Sequence, residues 1–407
     1  MDEKAKELLH FLSAKQPEMI AQLHHFCKIN SGTDNLAGLS LMSQALNAYF
    51  KPIADNIKVL EFPPIKTISM EGKSIEKQCG NALFISKRPH LTRRILLCGH
   101  MDTVYGAAHP FQKLTYINDN HINGPGVADM KGGLIVMQQA LACFEQFPGA
   151  NELGWDVLIN ADEEIGSPAS SGLLEKIAAN YQAALVYEPA MNATGTLAKN
   201  RRGSGKLTLV ARGKSAHVGR AFKEGKNAIC HLAKALLEIH ALNDLDNGIT
   251  LNVGKIAGGE ALNMVPDIAV AKLDIRISKP EDELWVREQI AILMEKMADS
   301  DYSLSIYGAF NRPIKKVCPA TERLFRRIQN IGAELGLKID WKDSGGCCDG
   351  NNLAQSGLAV IDTLGVRGGD IHSENEFILV DSLVERTRLT TLLLCDLAGG
   401  GLEDLRQ

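Results

Sequence analysis

An α/β fold, with a mixed, mostly parallel sheet flanked by helices and an inserted ferredoxin-like α+β domain, is what this sequence predicts. Three observations carry that expectation. The chain has 407 residues, more than one hydrophobic core usually supports. Its outer segments alternate short, wholly apolar runs with helix-period stretches, the rhythm of a sheet covered on both faces. From about Asn200 to Asn311 the rhythm becomes strand, helix, strand, strand, helix, strand, the split unit of ferredoxin-like domains.

In chain order, the amino-terminal part reads as an amphipathic helix. Arg94–Cys98 (RILLC), Trp155–Asn160 (WDVLIN) and Ala183–Tyr187 (AALVY) are strand-length and apolar on both faces. After Asp129, Leu134, Met137, Leu141 and Phe144 recur at helical spacing. The insertion runs from a strand at Lys206–Ala211 to a helix over about Gly225–Leu242. Strands near Ile249–Ile256 and Ile268–Ile277, a charged helix over Glu281–Met297 and a strand at Tyr302–Tyr307 follow. The chain then resumes its first rhythm with Ala359–Leu364 and a closing helix from about Asp381 to Leu397. The expected division is 1–199, 200–311 and 312–407, with the outer two parts forming one domain.

Composition narrows the function classes. Hydrophobic residues make up 45% and charged residues 23%, the balance of a globular protein. A formal net charge of −4 gives no global attraction to nucleic acid or anionic membrane, so neither is expected as a partner. The first residues are acidic where a signal peptide needs a basic region. No stretch approaches the roughly 20 apolar residues of a membrane span. Nine cysteines without framework spacing suit a reducing, cytoplasmic setting.

Five segments end apolar runs with ionisable residues and Gly or Pro: GHMDT (Gly99–Thr103), GPGVADMKGG (Gly124–Gly133), NADEEIGS (Asn160–Ser167), YEPA (Tyr187–Ala190) and GGDIHSENEF (Gly368–Phe377). Taken singly, each has an ordinary structural reading. A His after a strand, an Asp in a glycine-rich turn and a Glu pair opening a helix all serve folding. In GHMD, Asp102 is spaced to orient His100. Strand ends of an open α/β sheet converge on one crevice. There the segments would pool two His and several carboxylates, the nitrogen and oxygen donors of catalytic zinc.

In this order the segments resemble the zinc metallopeptidase and deacylase family that includes glutamate carboxypeptidase, acetylornithine deacetylase, succinyl-diaminopimelate desuccinylase and aminoacylase. The resemblance spans nearly the whole chain. It implies two zinc ions, replaceable by cobalt: one held by His100 and Glu188, one by Glu164 and His372, with Asp129 bridging. It implies that Glu163 is the general base and that the Asp129–Met130 peptide is cis. In the inserted domain, which corresponds to a lid, it assigns substrate contacts to His217 (in GKSAHVGR), Asn263 (in GGEALNMVPD), Arg276 and Arg312. It also implies a homodimer formed through that lid.

The expected reaction is hydrolysis of an amide bond in a small N-acyl amino acid or peptide. Glu163 moves the proton from water to the leaving amine. Glu188, where aminopeptidase relatives tend to carry Asp, favours a substrate with an acylated nitrogen and a free carboxylate. The lid and metal segments most resemble a glutamate-type carboxypeptidase, with an N-acyl amino acid deacylase as the alternative. The sequence departs from its relatives at Asp343–Asn352 (DSGGCCDGNN), where Cys347 and Cys348 stand in a glycine-rich loop. That loop is read as lining the cleft through Gly346, with a redox pair or a catalytic thiol as other readings. The non-enzymatic alternative is a metal-free peptide-binding scaffold.

Overall fold

The computed structural model describes residues 12–406. The beginning of the expected amino-terminal helix therefore lies outside the described residues, and helix α1 covers Gln16–Cys27. The chain divides into two compact units. The first comprises Met1–Pro63, Cys79–Arg201 and Lys315–Gln407, the second Pro64–Gln78 and Arg202–Ile314.

After α2 (Leu36–Phe50) the first unit lays down β1 (Asn56–Leu60). The hairpin of β2 (Ile65–Ile68) and β3 (Ser74–Lys77) belongs to the second unit. The first unit resumes with β4 (Ala82–Lys87) and β5 (Arg94–His100), then a small pair, β6 (Thr115–Asn118) and β7 (His121–Asn123). Helix α3 (Gly133–Phe144), β8 (Gly154–Asn160), α4 (Ser171–Ala178), β9 (Ala183–Val186) and β10 (Leu197–Arg201) follow.

The second unit then runs through β11 (Gly203–Arg212), the short α5 (Val218–Ala221), α6 (Ala228–Ala241), β12 (Thr250–Gly258), β13 (Ile268–Ile277), α7 (Pro280–Lys296) and β14 (Ser303–Arg312). The return to the first unit brings α8 (Pro319–Glu334), β15 (Trp341–Ser344), α9 (Asp349–Ala354), β16 (Ala359–Ile361), β17 (Gly368–Gly369), β18 (Phe377–Leu379) and α10 (Asp381–Asp396).

The main sheet has the order β1-β4-β8-β5-β9-β16. Its β8-β5-β9-β16 part is parallel, and β1 and β4 are antiparallel additions. Every residue of β5, β8 and β9 is buried, as strands covered on both faces must be. Leu134, Met137, Leu141 and Phe144 of α3 enter the large core on one face, while Leu96, Leu158 and Val360 face a smaller cluster on the other. Among the described residues no helix is long and apolar enough to cross a membrane.

The second unit forms the sheet β12-β13-β11-β14, antiparallel throughout, with α6 and α7 packed on one face. This is the strand order of the ferredoxin-like split unit. The hairpin at 65–77 had no counterpart in the sequence reading. Its Ile68 and Met70 pack on Val210, Val270 and Ile268, which are apolar positions on the sheet face opposite the helices.

Candidate metal centre

Three neighbouring parallel strands end side by side. His100 is the last residue of β5 and pairs in register with Asn160, the last residue of β8. Three residues beyond Asn160 come Glu163 and Glu164, in a single helical turn. On the other side Cys98 pairs with Val186, so Glu188 lies level with His100. Asp129 arrives from a kinked turn ahead of α3, and the Asp129–Met130 peptide is cis. Gly133, which opens α3, abuts the Tyr187 carbonyl so closely that a Cβ would sit 2.1 Å from that oxygen. No other residue allows the helix start this close to the end of β9. His372 comes from the loop between β17 and β18 and adopts a left-handed backbone, φ 62°.

These side chains meet. His100 Nε2 lies 3.1 Å from Asp129 Oδ1 and 3.8 Å from Glu188 Oε2. His372 Nε2 lies 3.3 Å from Asp129 Oδ2 and 3.1 Å from Glu164 Oε2. Asp129 thus gives one oxygen to each histidine. Donor atoms of His100, Glu163 and Glu188 fall within 4.8 Å of one another, as do those of His100, Asp129 and Glu164. Among the described residues, Glu164 Oε1 and Glu188 Oε1 are buried with no hydrogen-bond partner. Buried carboxylate oxygens without donors are costly unless a cation satisfies them. Two imidazoles, a shared carboxylate and two orphaned carboxylate oxygens fit a pair of metal ions with nitrogen and oxygen ligands.

Charge tells the same story. Burial would lower the His100 pKa, yet Asp102, Asp129 and Glu188 hold it well above the usual imidazole value. Asp129 and Glu164 push His372 up to about 11. Burial, reinforced by Asp129, raises Glu164 to about 7. Burial likewise raises Glu188, whereas Asp129 is held down by His100 and His372 despite its burial. In the absence of metal, imidazolium protons supply the positive charge that the carboxylates demand.

Further residues hold these groups in place. The Asp102 backbone carbonyl lies 3.0 Å from His100 Nδ1. Its carboxylate accepts the Thr33 hydroxyl at 2.8 Å and the backbone N–H groups of Glu163 and Glu164 at 3.2 Å each. Glu376, fully buried, does the same for the turn that carries Asp129. Its Oε1 accepts the N–H groups of Ala128 (2.9 Å) and Asp129 (3.0 Å), and its Oε2 accepts the Tyr105 hydroxyl (2.7 Å) and the Gly126 N–H (3.2 Å). Asp349 receives Asn160 Nδ2 and Ser167 Oγ beneath the Glu163–Glu164 turn. Deeper still, Asp362 binds Arg201 through two hydrogen bonds and Lys315 through one.

Sequence reasoning missed Glu376, Asp349 and Asp362. Glu376 and Asp349 fall inside quoted segments, HSENE and CCDGNN. A buried carboxylate whose donors come from distant parts of the chain, whether backbone N–H groups as at Glu376 or side chains as at Asp349 and Asp362, carries no spacing signature of its own.

Gly346 accepts Arg201 Nη1 at 3.3 Å through its carbonyl, and Cys347 is half-buried beside it. Cys348 is buried and caps α9, its sulfur accepting the Gly350 N–H. Burial pushes its thiol well up, opposite to what a nucleophilic thiol needs. In the second unit His217 and Asn263 are exposed neighbours, with the Val218 N–H donating to the Asn263 carbonyl at 3.0 Å. Arg276 already grips Asp274 on its own strand, through Nε at 2.6 Å and Nη2 at 3.2 Å. Arg312 is buried at the end of β14 opposite Ser204.

Comparison with known proteins adds a lineage to this geometry. Residues 96–396 match the profile of Peptidase family M20/M25/M40. Carboxypeptidase G2 of Pseudomonas sp. (strain RS-16) is 25% identical over 396 residues, covering 95% of this chain and 91% of that protein. Succinyl-diaminopimelate desuccinylase of Pseudomonas syringae pv. syringae (strain B728a) is 30% identical over 312 residues, 71% of this chain and 79% of that one. Among solved structures, the YXEP protein of Bacillus subtilis, described as a dinuclear metal binding peptidase, superposes with a TM-score of 0.63. It is 12% identical and covers 95% of this chain and 99% of its own.

Proposed function

This chain belongs to Peptidase family M20/M25/M40, and on that premise we propose that it hydrolyses an amide bond with a pair of metal ions. The observation that carries the proposal is the division of Asp129 between two histidines, one carboxylate oxygen to each. His100, Glu188 and Asp129 would hold one ion, and His372, Glu164 and Asp129 the other. The donor set suits zinc, with cobalt as a substitute. Bound there, the ions supply Lewis acidity toward the amide carbonyl and acidify water toward about neutrality.

The chain's own residues do the rest. Glu163 sits beside His100 and Glu188 and serves as the general base: it takes the proton from the attacking water and delivers it to the leaving amine. Asp102 keeps Glu163 on station by accepting its backbone N–H, and through the neighbouring bond it sets Glu164 as a ligand. His217, Asn263, Arg276 and Arg312 are the proposed substrate contacts of the second unit, with that unit acting as a lid and joining two copies into a dimer. Gly346 is proposed to line the cleft. Arginine suits a free substrate carboxylate because its planar fork makes paired bonds.

The substrate is a small N-acyl amino acid or peptide with a free carboxylate. A glutamate-type carboxypeptidase is the first reading, supported by the similarity to carboxypeptidase G2 along nearly the whole chain. An N-acyl amino acid deacylase is the second, favoured by the 30% identity to a desuccinylase. Glu163→Gln separates chemistry from binding: metal content should stay at the wild-type level while turnover falls by about two orders of magnitude or more. Full activity in that variant would remove Glu163 from the mechanism. A panel of peptidyl glutamates against N-succinyl and N-acetyl amino acids then decides between the two readings.

A further inference from the structure

The four-stranded sheet of the second unit has one face buried under α6 and α7 and another on which Ile68 and Met70 of the hairpin segment pack against Val210, Val270 and Ile268. Beyond that apolar cluster the same face is cationic. Lys255 on β12 pairs directly with Lys272 on β13, and Lys206 on β11 pairs with Asp274, two residues further along β13. Directly paired residues project from the same face, so the three lysines cross three adjacent strands. Lys206 and Lys255 are exposed and Lys272 is half-buried. Among the described residues none of the three meets a carboxylate, because the one acid in their midst, Asp274, is taken by both arms of Arg276. Lys77, on the hairpin's rim, adds a further positive charge close enough to act on Lys272.

Like charges directly opposite on a sheet destabilise it. Among the described residues no carboxylate forms an ion pair with Lys255 or Lys272, so an anion from outside is the natural complement. We infer that this face binds an extended acidic peptide, with carboxylates seated on Lys206, Lys255 and Lys272. The scale agrees. Neighbouring strands lie about 4.8 Å apart, and alternate side chains of an extended peptide recur at roughly 6.8 Å, so successive carboxylates on one side of such a peptide can reach successive lysines. The Asp274 carboxylate held by Arg276 is an internal example of the group this face accepts. The chain carries a formal charge of −4, and Arg276 on this face is engaged by Asp274, so the cations offered are lysines, which favours carboxylates over a nucleic-acid backbone.

The inference goes beyond amide hydrolysis and its test needs no turnover. Fluorescein-labelled hexaglutamate is titrated into the full chain carrying Glu163→Gln, and anisotropy is read at low and moderate salt. Saturable binding that weakens with salt is expected, as is a loss of about tenfold in affinity on adding Lys255→Gln and Lys272→Gln. Lys206→Gln, on a different strand, should cost a smaller factor by itself. The melting temperature of the double lysine variant should equal or exceed its parent's, because it removes a repulsion. Absence of binding, binding unchanged by the lysine substitutions, or tighter binding of hexathymidylate than of hexaglutamate would each overturn the assignment.

Discussion

Replacing Glu376 by Gln tests whether the metal centre depends on a residue that touches no proposed ligand side chain. The carboxylate accepts four hydrogen bonds, three from the backbone turn that carries Asp129 and one from Tyr105. A glutamine keeps most by placing its oxygen where Oε1 lies, retaining the Ala128 and Asp129 N–H groups. Its amide nitrogen then faces the Gly126 N–H, donor against donor, while the Tyr105 hydroxyl can still donate to the Ser373 carbonyl at 2.8 Å. One charge-assisted bond disappears, a buried N–H loses its acceptor, and two remaining bonds lose their charge. Hydrogen bonds to charged groups contribute about 1.5–3 kcal/mol, and an orphaned buried group costs about 1–3 kcal/mol.

The expected destabilisation is therefore about 3 kcal/mol, measured by urea unfolding of metal-free protein. Tyr105→Phe removes only the hydroxyl and should cost about 1 kcal/mol. Because the turn delivers Asp129, zinc affinity should fall together with stability, by about 10- to 100-fold. A Glu376→Gln protein that unfolds at the wild-type midpoint and binds zinc as the wild type does would refute the reasoning.

Three more outcomes follow from the same geometry. Asp102→Asn turns one acceptor of the Glu163–Glu164 turn into a donor, and kcat should fall by about 10- to 100-fold with the fold intact by circular dichroism. Chelation should abolish hydrolysis and added zinc or cobalt should restore it; activity indifferent to chelator would return the thiol reading of Cys347 to contention. Asp362 is held down to about 2 by Arg201 and Lys315 against the opposing effect of burial, from an ordinary 3.8. A depressed carboxylate stabilises above its unfolded pKa, so about 2 kcal/mol should be present above pH 4 and vanish as pH falls through about 2. Asp362→Asn, which strands two buried cations, should cost about 3–5 kcal/mol at neutral pH, with a smaller difference from wild type near pH 2 in acid-unfolding curves.

Much of the fold was legible because its signals are local. The apolar runs at 94–98, 155–160 and 183–186 are strands because they are too short for core helices and apolar on both faces, and β13 spans Ile268–Ile277 as expected from its place in the split unit. The hairpin at 65–77 was not legible. It lies in sequence between two strands of the first unit, and only the packing of Ile68 and Met70 on Val210 and Val270 shows where it belongs. Arg201 and Arg202 read as a short basic pair. In the fold Arg201 finds Asp362, 161 positions away, and no pattern along the chain announces such a bond. The residues grouped around the proposed metals stood out because strand ends with His and Glu are chemically conspicuous. Those that brace them, such as Glu376 and Asp102's partner Thr33, look like any surface acid or turn hydroxyl.

The position of the centre follows from the sheet. Parallel strands send all their carboxyl ends to one edge, so β8, β5 and β9 deliver Glu163–Glu164, His100 and Glu188 along a line roughly 10 Å wide, two strand spacings. An antiparallel neighbour would turn every second strand end away. Three strand ends alone could not surround the two proposed ions, and the missing side is closed by the turn before α3 and the loop after β17, which bring Asp129 and His372. What would separate the proposed base from the proposed ligand in the Glu163–Glu164 pair is again backbone geometry. Asp102 Oδ1 takes the Glu163 N–H and Oδ2 takes the Glu164 N–H, which pins two consecutive residues on one carboxylate. Consecutive side chains on a turn so pinned diverge: Glu164 reaches His372, and Glu163 stays with His100 and Glu188. On the proposed reading the same carboxyl chemistry would serve two tasks, with Asp102 fixing the backbone from which the two side chains part.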